Sequence, residues 1–223
     1  EGRLVRGLWH DRAMRPHVVR QGEYLSQLAA RLGVDADDIW QDPANAELRE
    51  RRTSGDMLAP GDVIHLPDEP PSGSSVRARS SNRYQAVIPT VPVEVRLEVG
   101  DEPLANARCT IEGLAQPLES ETDGDGLLRF DAPTNVEELR ACFTEPNLTF
   151  AIRVGHLDPL EEPSGVADRL VNLGYLDESA RRSAASEGRL FTALRDFQRD
   201  HDLEPTGELD DATRDALRDA HGA

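Results

Sequence analysis

Near the start of the chain, the hydrophobic pattern predicts a strand, helices and a second strand within about fifty residues. Residues 17–20 form a short apolar run typical of a strand, and residues 63–66 form another in which alternate residues are apolar. Between them a helical turn is predicted at Ile39–Trp40, and a further helix after Pro43. The first helix ends at Gly33, and its apolar face recurs at helical spacing through Leu25, Leu28, Ala29 and Leu32.

The middle of the chain alternates apolar and charged residues, as half-buried strands do. The first such run places Val93, Val95, Leu97 and Val99 on one face, and four similar runs follow up to residue 155. This pattern predicts a small antiparallel β-sandwich. The turn at Asp123–Gly126 suggests either a hairpin or a calcium loop. No Glu closes a twelve-residue calcium loop there, so the hairpin is favoured.

The last third of the chain has the spacing of three helices. Gly174 is the predicted stop of the first, and an Asp N-cap is the predicted start of the third. The predicted inward residues are Val166, Leu170 and Leu173, then Leu190, Leu194, Phe197 and His201, then Ala212, Ala216 and Leu217.

Together these patterns predict a multidomain α+β protein. Residues 67–81 are rich in Pro, Ser and Gly and indicate a solvated linker. The predicted organisation is an N-terminal extension at 1–14, a βααβ module at 15–67, a linker at 68–82, a β-sandwich at 83–157 and a three-helix domain at 158–223.

Charge and hydropathy narrow the range of partners. The net charge is −17, and all 25 basic residues are Arg. Such an acidic chain repels nucleic acid and anionic membranes, so neither is an expected partner. No window approaches the roughly 20 apolar residues of a membrane span. Residues 1–16 show no apolar signal core, so we expect a location in the cell envelope or export by a non-Sec route.

No catalytic constellation is evident. The sequence has no H-E-x-x-H motif and no G-x-S-x-G elbow, and its six histidines are spread over all regions. We therefore predict no enzyme activity, no metal and no cofactor. Cys109 and Cys142 do not have the spacing of a zinc site. They form either one disulfide or two buried thiols, of which the thiols are favoured.

The first region resembles the LysM domain, a βααβ module that binds N-acetylglucosamine-containing glycans. The similar segments are V-x-x-G-E-Y-L-x-x-L-A, an Asn between the helices, and L-x-P-G-D-x-I-x-L-P. Two features depart from that family: Glu23-Tyr24 replaces the usual Asp-Thr, and residues 46–57 are lengthened beside the family's glycan groove. The resemblance implies glycan contacts by Gly22, Glu23, Tyr24, Leu25, Asn45, Leu58 and Pro60.

Within that turn, elementary roles explain two residues. Gly22 allows the turn, and Glu23 complements the positive end of the helix dipole. Tyr24 has two interpretations, because its ring is either a platform for a sugar's apolar face or packs against the second helix.

Two further resemblances follow along the chain. The segments GDEPLANARCTIEG and ETDGDGLLRF resemble transthyretin-like or carboxypeptidase-regulatory-like sandwich domains, which serve as spacers or interaction modules. The segments RLVNLGYL and ALRDFQRDHDLEPTGELDDATRDAL resemble the three-helix peptidoglycan-binding domain. Glu187–Leu190 replaces that family's Gly-x-x-Thr. The second resemblance implies peptidoglycan contacts by Tyr175, Gln198, Thr206 and Thr213, with Gln198 exposed and Phe197 in the core.

These modules predict a non-catalytic protein that binds bacterial peptidoglycan by avidity, since two weak sites on one chain reinforce each other. Their order is similar to that of LysM proteins associated with contractile injection machines, including type VI secretion systems. That similarity favours an alternative, an adaptor that binds spike or effector proteins. A third hypothesis is the non-catalytic part of a wall hydrolase or toxin.

Overall fold

The computed structural model describes residues 13–68, 81, 88–100, 102–177 and 187–222. The chain divides into two compact units. One comprises the chain up to Val91 together with Pro133–Asn135, and the other comprises Pro92–Ala132 and Val136–Ala223. Within the described ranges, no helix is both long and apolar enough to cross a membrane. Most of the predicted extension and linker lies outside these ranges.

The first unit has the predicted order of strand, helices and strand. Its elements are β1 Met14–Val18, α1 Leu25–Leu32, α2 Ala36–Trp40, a 3₁₀ turn Pro43–Asn45, α3 Ala46–Arg51 and β2 Val63–Pro67. The two strands pair antiparallel, with His17 opposite Ile64. The first strand ends at Val18, two residues before the end of the predicted run, because its register partner Val63 is the first residue of β2.

The predicted apolar face of α1 forms one side of this unit's core. Leu25, Leu28 and Ala29 are buried together with Ile64 and Leu66 of β2. The helix ends where predicted, at a left-handed Gly33 with φ 66°. Periodicity alone therefore located this helix and its buried face.

The second region of the chain consists of strands. They are β3 Thr90–Arg96, β4 Glu98–Val99, β5 Glu102–Pro103, β6 Arg108–Glu112, β7 Leu118–Glu121, β8 Leu127–Pro133, β9 Glu138–Phe143 and β10 Leu148–Arg153. Four of them form an antiparallel sheet in the order β10-β9-β6-β7, while β3 pairs with β8 and β4 with β5. Within these strands alternate residues are buried, for example Ile111 in β6 and Leu139 in β9. The antiparallel sheets are confirmed, and the sandwich stays a prediction.

Two local predictions in this region are wrong. The Asp123–Gly126 turn does not close a hairpin, because β7 on one side pairs with β6 and β8 on the other pairs with β3. Instead, the turn takes the chain from one sheet to another. Val99 was expected to be inward but is 47% exposed, because it lies in the small β4–β5 ribbon where it faces Glu102.

The strand register decides the state of the two cysteines. Cys109 lies opposite Phe143, and Cys142 lies opposite Thr110. Residues directly opposite each other share a face of the sheet and successive residues alternate, so the two cysteine side chains point to opposite faces. A disulfide needs both Cβ atoms within about 4 Å with their side chains converging. Both cysteines are accordingly free, Cys109 buried and Cys142 half-buried.

Three helices complete the described chain: α4 Pro163–Asn172, α5 Glu187–Asp200 and α6 Asp211–His221. Gly174 has φ 81° just after α4, as a helix stop requires. In α6, Ala212 is exposed rather than inward, and the buried positions are Thr213 and Leu217. The inward face therefore starts one residue later than predicted.

Candidate functional site

The helical region is built around one buried aromatic residue. Phe197 of α5 is fully buried, as predicted, with Leu170 of α4 and Leu217 of α6. Tyr175, which follows α4, packs edge-on against Phe197 with ring centroids 5.3 Å apart. His201 lies on the same ring at 4.1 Å between centroids. Tyr175 is half-buried.

Gln198 lies beside this core and connects α5 to the loop before α6. The two hydrogens of its Nε2 are shared among three acceptors, Thr206 Oγ1 at 3.1 Å, Thr213 Oγ1 at 2.9 Å and the Glu208 carbonyl at 2.9 Å. Its Oε1 accepts from the Gly207 N–H at 2.8 Å. Both ends of the amide are thus satisfied by the loop at residues 206–208 and by the first turn of α6.

Three of the four predicted peptidoglycan contacts therefore meet in one hydrogen-bond cluster. The prediction that Gln198 is exposed is wrong, because its side chain is fully buried, and Thr213 is 1% exposed. Their polar atoms bind one another, so their contribution in this structure is to hold the loop. Thr206 is exposed and Tyr175 is half-buried, while the hydroxyl oxygen of Thr206 accepts from Gln198 and from the Glu208 N–H. The role of these residues in binding stays a prediction.

The start of α6 is fixed by a cap. Asp210 accepts a 2.7 Å hydrogen bond from the Thr213 N–H, which satisfies one of the free N–H groups of the first turn. Hydrogen bonds from Thr213 lower the pKa of the Asp210 carboxyl below its ordinary value. The cap and the Gln198 cluster together place the 206–208 loop firmly between α5 and α6.

Phe191 lies on the outside of this loop and was not identified from the sequence. Its side chain is 44% exposed although it belongs to the first turns of α5. The ring lies on Gly207, where an added Cβ would be 2.5 Å from Cε2 and 2.6 Å from Cδ2 of the ring. Phe191 and Gln198 are seven residues apart and share one side of α5. The available signal was an aromatic residue one position off the predicted buried face.

A buried charged cluster joins the other ends of the helices. Arg169 of α4 is 1% exposed and donates to the carbonyl groups of Asp158, at 2.9 Å, and Gly165, at 2.8 Å. His221 of α6 has its Nε2 2.9 Å from the amide nitrogen of Asn172, while its Nδ1 is buried without a partner among the described residues. Burial and the nearby guanidinium of Arg169 lower the pKa of His221 to about 4.

In the first unit, the turn before α1 is held by its own side chains. Glu23 accepts from His17 Nε2 at 2.8 Å, from the Arg20 N–H at 3.0 Å and from Arg31 at 3.3 Å. Burial raises the pKa of Glu23, but the hydrogen bonds from His17 and the Arg20 N–H, together with the charge of Arg31, outweigh it and leave that pKa below its ordinary value. Gly22 has φ 81°, as the predicted turn requires. Gly22 therefore has the role that the sequence indicated. Glu23 precedes the N-cap Tyr24 and holds the turn, so it does not lie in the first turn of α1 as predicted.

Tyr24 is only 2% exposed, and its hydroxyl lies 3.4 Å from the Thr134 carbonyl, to which it donates. A sugar platform needs one open ring face, so this structure does not support that interpretation of Tyr24. The ring is buried, and its described partner is Thr134 rather than the second helix, so packing against that helix stays a prediction. Thr134 is 110 residues away in the chain, and no local pattern could predict this contact.

Most of the other predicted glycan contacts are also buried. Asn45 is 1% exposed and is bound through both ends of its amide, to the Ile39 carbonyl at 2.8 Å and to the His65 backbone at 2.7 and 2.9 Å. Leu25 and Leu58 lie in the core. Pro60 is exposed. Their role in glycan binding stays a prediction.

The lengthened segment lies over the start of α1. Asp56 accepts from both the N–H and the hydroxyl of Ser26, each at 2.7 Å, and the Gly55 carbonyl accepts from the Leu25 N–H at 2.9 Å. A Cβ on Gly55 would contact Leu25 and the Trp40 ring, so this approach requires glycine. The segment therefore satisfies the helix N-terminus that a ligand would otherwise contact.

No described group of three or more His, Cys, Asp or Glu side chains could hold a metal ion. In the Asp123–Gly126 turn, one Asp123 oxygen accepts from the backbone N–H groups of Asp125 and Leu127, and the other binds Arg129, each at 3.0 Å. Those bonds stabilise the turn itself.

Residues 164–217 match the family described as Putative peptidoglycan binding domain. The match covers about a quarter of the chain and includes nearly all of α4, all of α5 and the start of α6. It supports peptidoglycan as a partner and the cell wall as the setting. No curated protein and no solved structure matches the chain.

Proposed function

We propose that this protein binds bacterial peptidoglycan without acting on it chemically, and so targets or anchors itself to the cell wall. The observation that supports this most directly is the family match over residues 164–217. The helical region there presents half-buried Tyr175 and exposed Thr206 and Phe191 around an ordered loop. The absence of a catalytic motif in the sequence supports the non-catalytic part of the proposal.

Binding to the wall must be short-ranged, because the net charge of −17 repels anionic wall polymers. Added salt screens that repulsion within a Debye length of about 8 Å at physiological ionic strength. We therefore expect retention on insoluble peptidoglycan to persist or strengthen when salt is raised. A complex formed by ion pairing would weaken instead.

The test is a pull-down of the full chain on insoluble peptidoglycan at low and high salt. The comparison variant is Gln198→Leu, which removes the hydrogen bonds that hold the loop at residues 206–208 and the start of α6. We expect retention of the wild-type chain at both salt concentrations and its loss in the variant. A wild-type chain that stays in the supernatant would refute the proposal.

A second candidate function is supported by the first unit. The LysM-like module has Tyr24 buried, and Asp56 covers the N-terminus of α1. These contacts count against a glycan contact by Tyr24 and the start of α1, which leaves room for the alternative of an adaptor for spike or effector proteins of a contractile injection (type VI) system. The non-catalytic part of a wall hydrolase or toxin is the third hypothesis. If peptidoglycan does not retain the chain, co-purification with a spike or effector protein would support the adaptor.

A further inference from the structure

Phe191 is the feature of the helical region that folding explains least. Six large apolar residues are substantially exposed in the described ranges, and Phe191 is the only aromatic among them. The others are Val18, Val63, Ile88, Val99 and Leu118. Scattered aliphatic residues on a surface are ordinary. An exposed ring within the segment matched to a peptidoglycan-binding family has a more specific use.

The inner face of the ring is supported by backbone. Gly207 has φ 74°, and its missing Cβ leaves room for the ring to lie on it. The Gly207 N–H is bound to the buried Gln198 at 2.8 Å, so the supporting surface is itself fixed. A ring held in this way loses little conformational freedom when a ligand covers its outer face.

The surrounding charges limit what that ligand is. The loop at 200–211 contains six carboxylates and no Arg, and Glu204 and Glu208 next to Gly207 are exposed. Stem peptides that end in carboxylates are repelled there. An uncharged ligand ring with an apolar face, such as a sugar ring, is not repelled by these carboxylates. Arg195, exposed one turn beyond Phe191, carries the opposite charge, so it can donate to sugar hydroxyls and also to a carboxylate, and a competition experiment must therefore include a free stem peptide.

We propose that Phe191 stacks on the apolar face of an amino-sugar ring in the glycan strand of peptidoglycan. This inference rests on the proposed function and specifies the part of the polymer that the helical region contacts. It assigns to Gly207 and Gln198 the role of positioning residues, which hold the ring in place without touching the ligand.

The experiment measures the affinity of the full chain for insoluble peptidoglycan with Phe191 replaced by Ala, Leu or Trp. We expect Phe191→Ala and Phe191→Leu to weaken binding about tenfold or more, and Phe191→Trp to stay near wild type. Leu keeps an apolar side chain without a ring face, so it separates stacking from general hydrophobic contact. Leu118→Ala, at a 40% exposed residue of β7, is the matched control and should have no effect.

Competition identifies which part of peptidoglycan Phe191 contacts. N-acetylglucosamine oligomers are expected to release the wild-type chain, and a free stem peptide is not. Wild-type retention with an equal affinity for Phe191→Leu would overturn this inference and leave the proposed function intact. Release by the stem peptide alone would overturn the sugar assignment. If peptidoglycan does not retain the wild-type chain, the proposed function is overturned, and this inference with it.

Discussion

Replacing Gln198 with leucine is expected to destabilise the helical region strongly, although the two side chains are similar in volume. The substitution removes all the hydrogen bonds of the amide at once. Two of its partners, the Gly207 N–H and the Thr213 hydroxyl, belong to buried residues and lose a partner that water cannot easily replace. Thr206 and Glu208 are exposed, so water can satisfy their released groups.

The magnitude follows from these two groups. The buried Gly207 N–H is left without a partner, which costs about 1–3 kcal/mol. The Thr213 hydroxyl keeps its bond to Asp210 and loses one hydrogen bond worth about 1 kcal/mol, so Gln198→Leu should cost about 2–4 kcal/mol in total. Thr213→Val leaves the Gln198 amide with two other acceptors and should cost about 1 kcal/mol. Thr206→Val affects an exposed partner and should cost less than that. The three variants therefore form a graded series.

Hydrogen exchange by mass spectrometry measures each effect separately along the chain. Peptides from residues 187–222 should lose protection by between about thirtyfold and about seven-hundredfold in Gln198→Leu, since about 1.4 kcal/mol corresponds to a factor of ten. Peptides from residues 25–67, in the other compact unit, are the internal control and should not change.

Protection that falls less than about fivefold in Gln198→Leu would show that the buried amide cluster contributes little, and would refute this reasoning. A larger effect from Thr206→Val than from Thr213→Val would refute the argument from burial. Loss of protection in residues 25–67 would mean that the substitution acts through the whole chain and not through the local cluster.

Three further predictions follow from the packing. His221 stays neutral in the folded chain down to about pH 4, while the unfolded chain protonates it near pH 6.5. The free energy of unfolding should therefore fall by up to about 3 kcal/mol as the pH is lowered from 6.5 to 4. Urea unfolding at a series of pH values measures this fall, which should be smaller in His221→Gln. Gly165→Ala should lower the melting temperature, because the added Cβ would clash with backbone oxygens. Gly188→Ala should raise it, because the added Cβ there meets nothing within 4 Å and alanine favours a helix over glycine. Melting temperatures in the opposite order would contradict this. Cys109 and Cys142 should both react with a thiol reagent after unfolding without reductant, because the strand register keeps them from forming a disulfide. In the folded chain Cys142 should react first, because burial raises the pKa of Cys109. A disulfide-linked peptide pair in a non-reducing digest would contradict the register.

The sequence predicted local structure well where a single element determines it. The face of α1, its stop at Gly33 and the alternate burial of the strands all follow from periodicity and turn chemistry. The exceptions, Val99 and the Asp123–Gly126 turn, depend on which strands pair. A strand that pairs with a distant neighbour has the same local pattern as one that closes a hairpin.

The candidate site was less predictable. Resemblance implied ligand contacts by Gln198, Thr206 and Thr213, whereas the structure joins them in one hydrogen-bond cluster in which two of the three residues are buried. Phe191 was missed because it lies one position off the apolar face of α5. It is exposed because Gly207, from the next loop, supports the ring from beneath without covering its outer face.

By itself the sequence determined the order of strands and helices, the turns and caps that delimit them, and the acidic charge that excludes several partners. Only the tertiary structure decided which polar and aromatic side chains are buried. Gln198 is buried because groups from the following loop and helix satisfy its amide, and the hydroxyl of the buried Tyr24 donates to Thr134, 110 residues away in the chain. Exposure depends on partners that are distant along the chain, and hydrophobic periodicity contains no information about them.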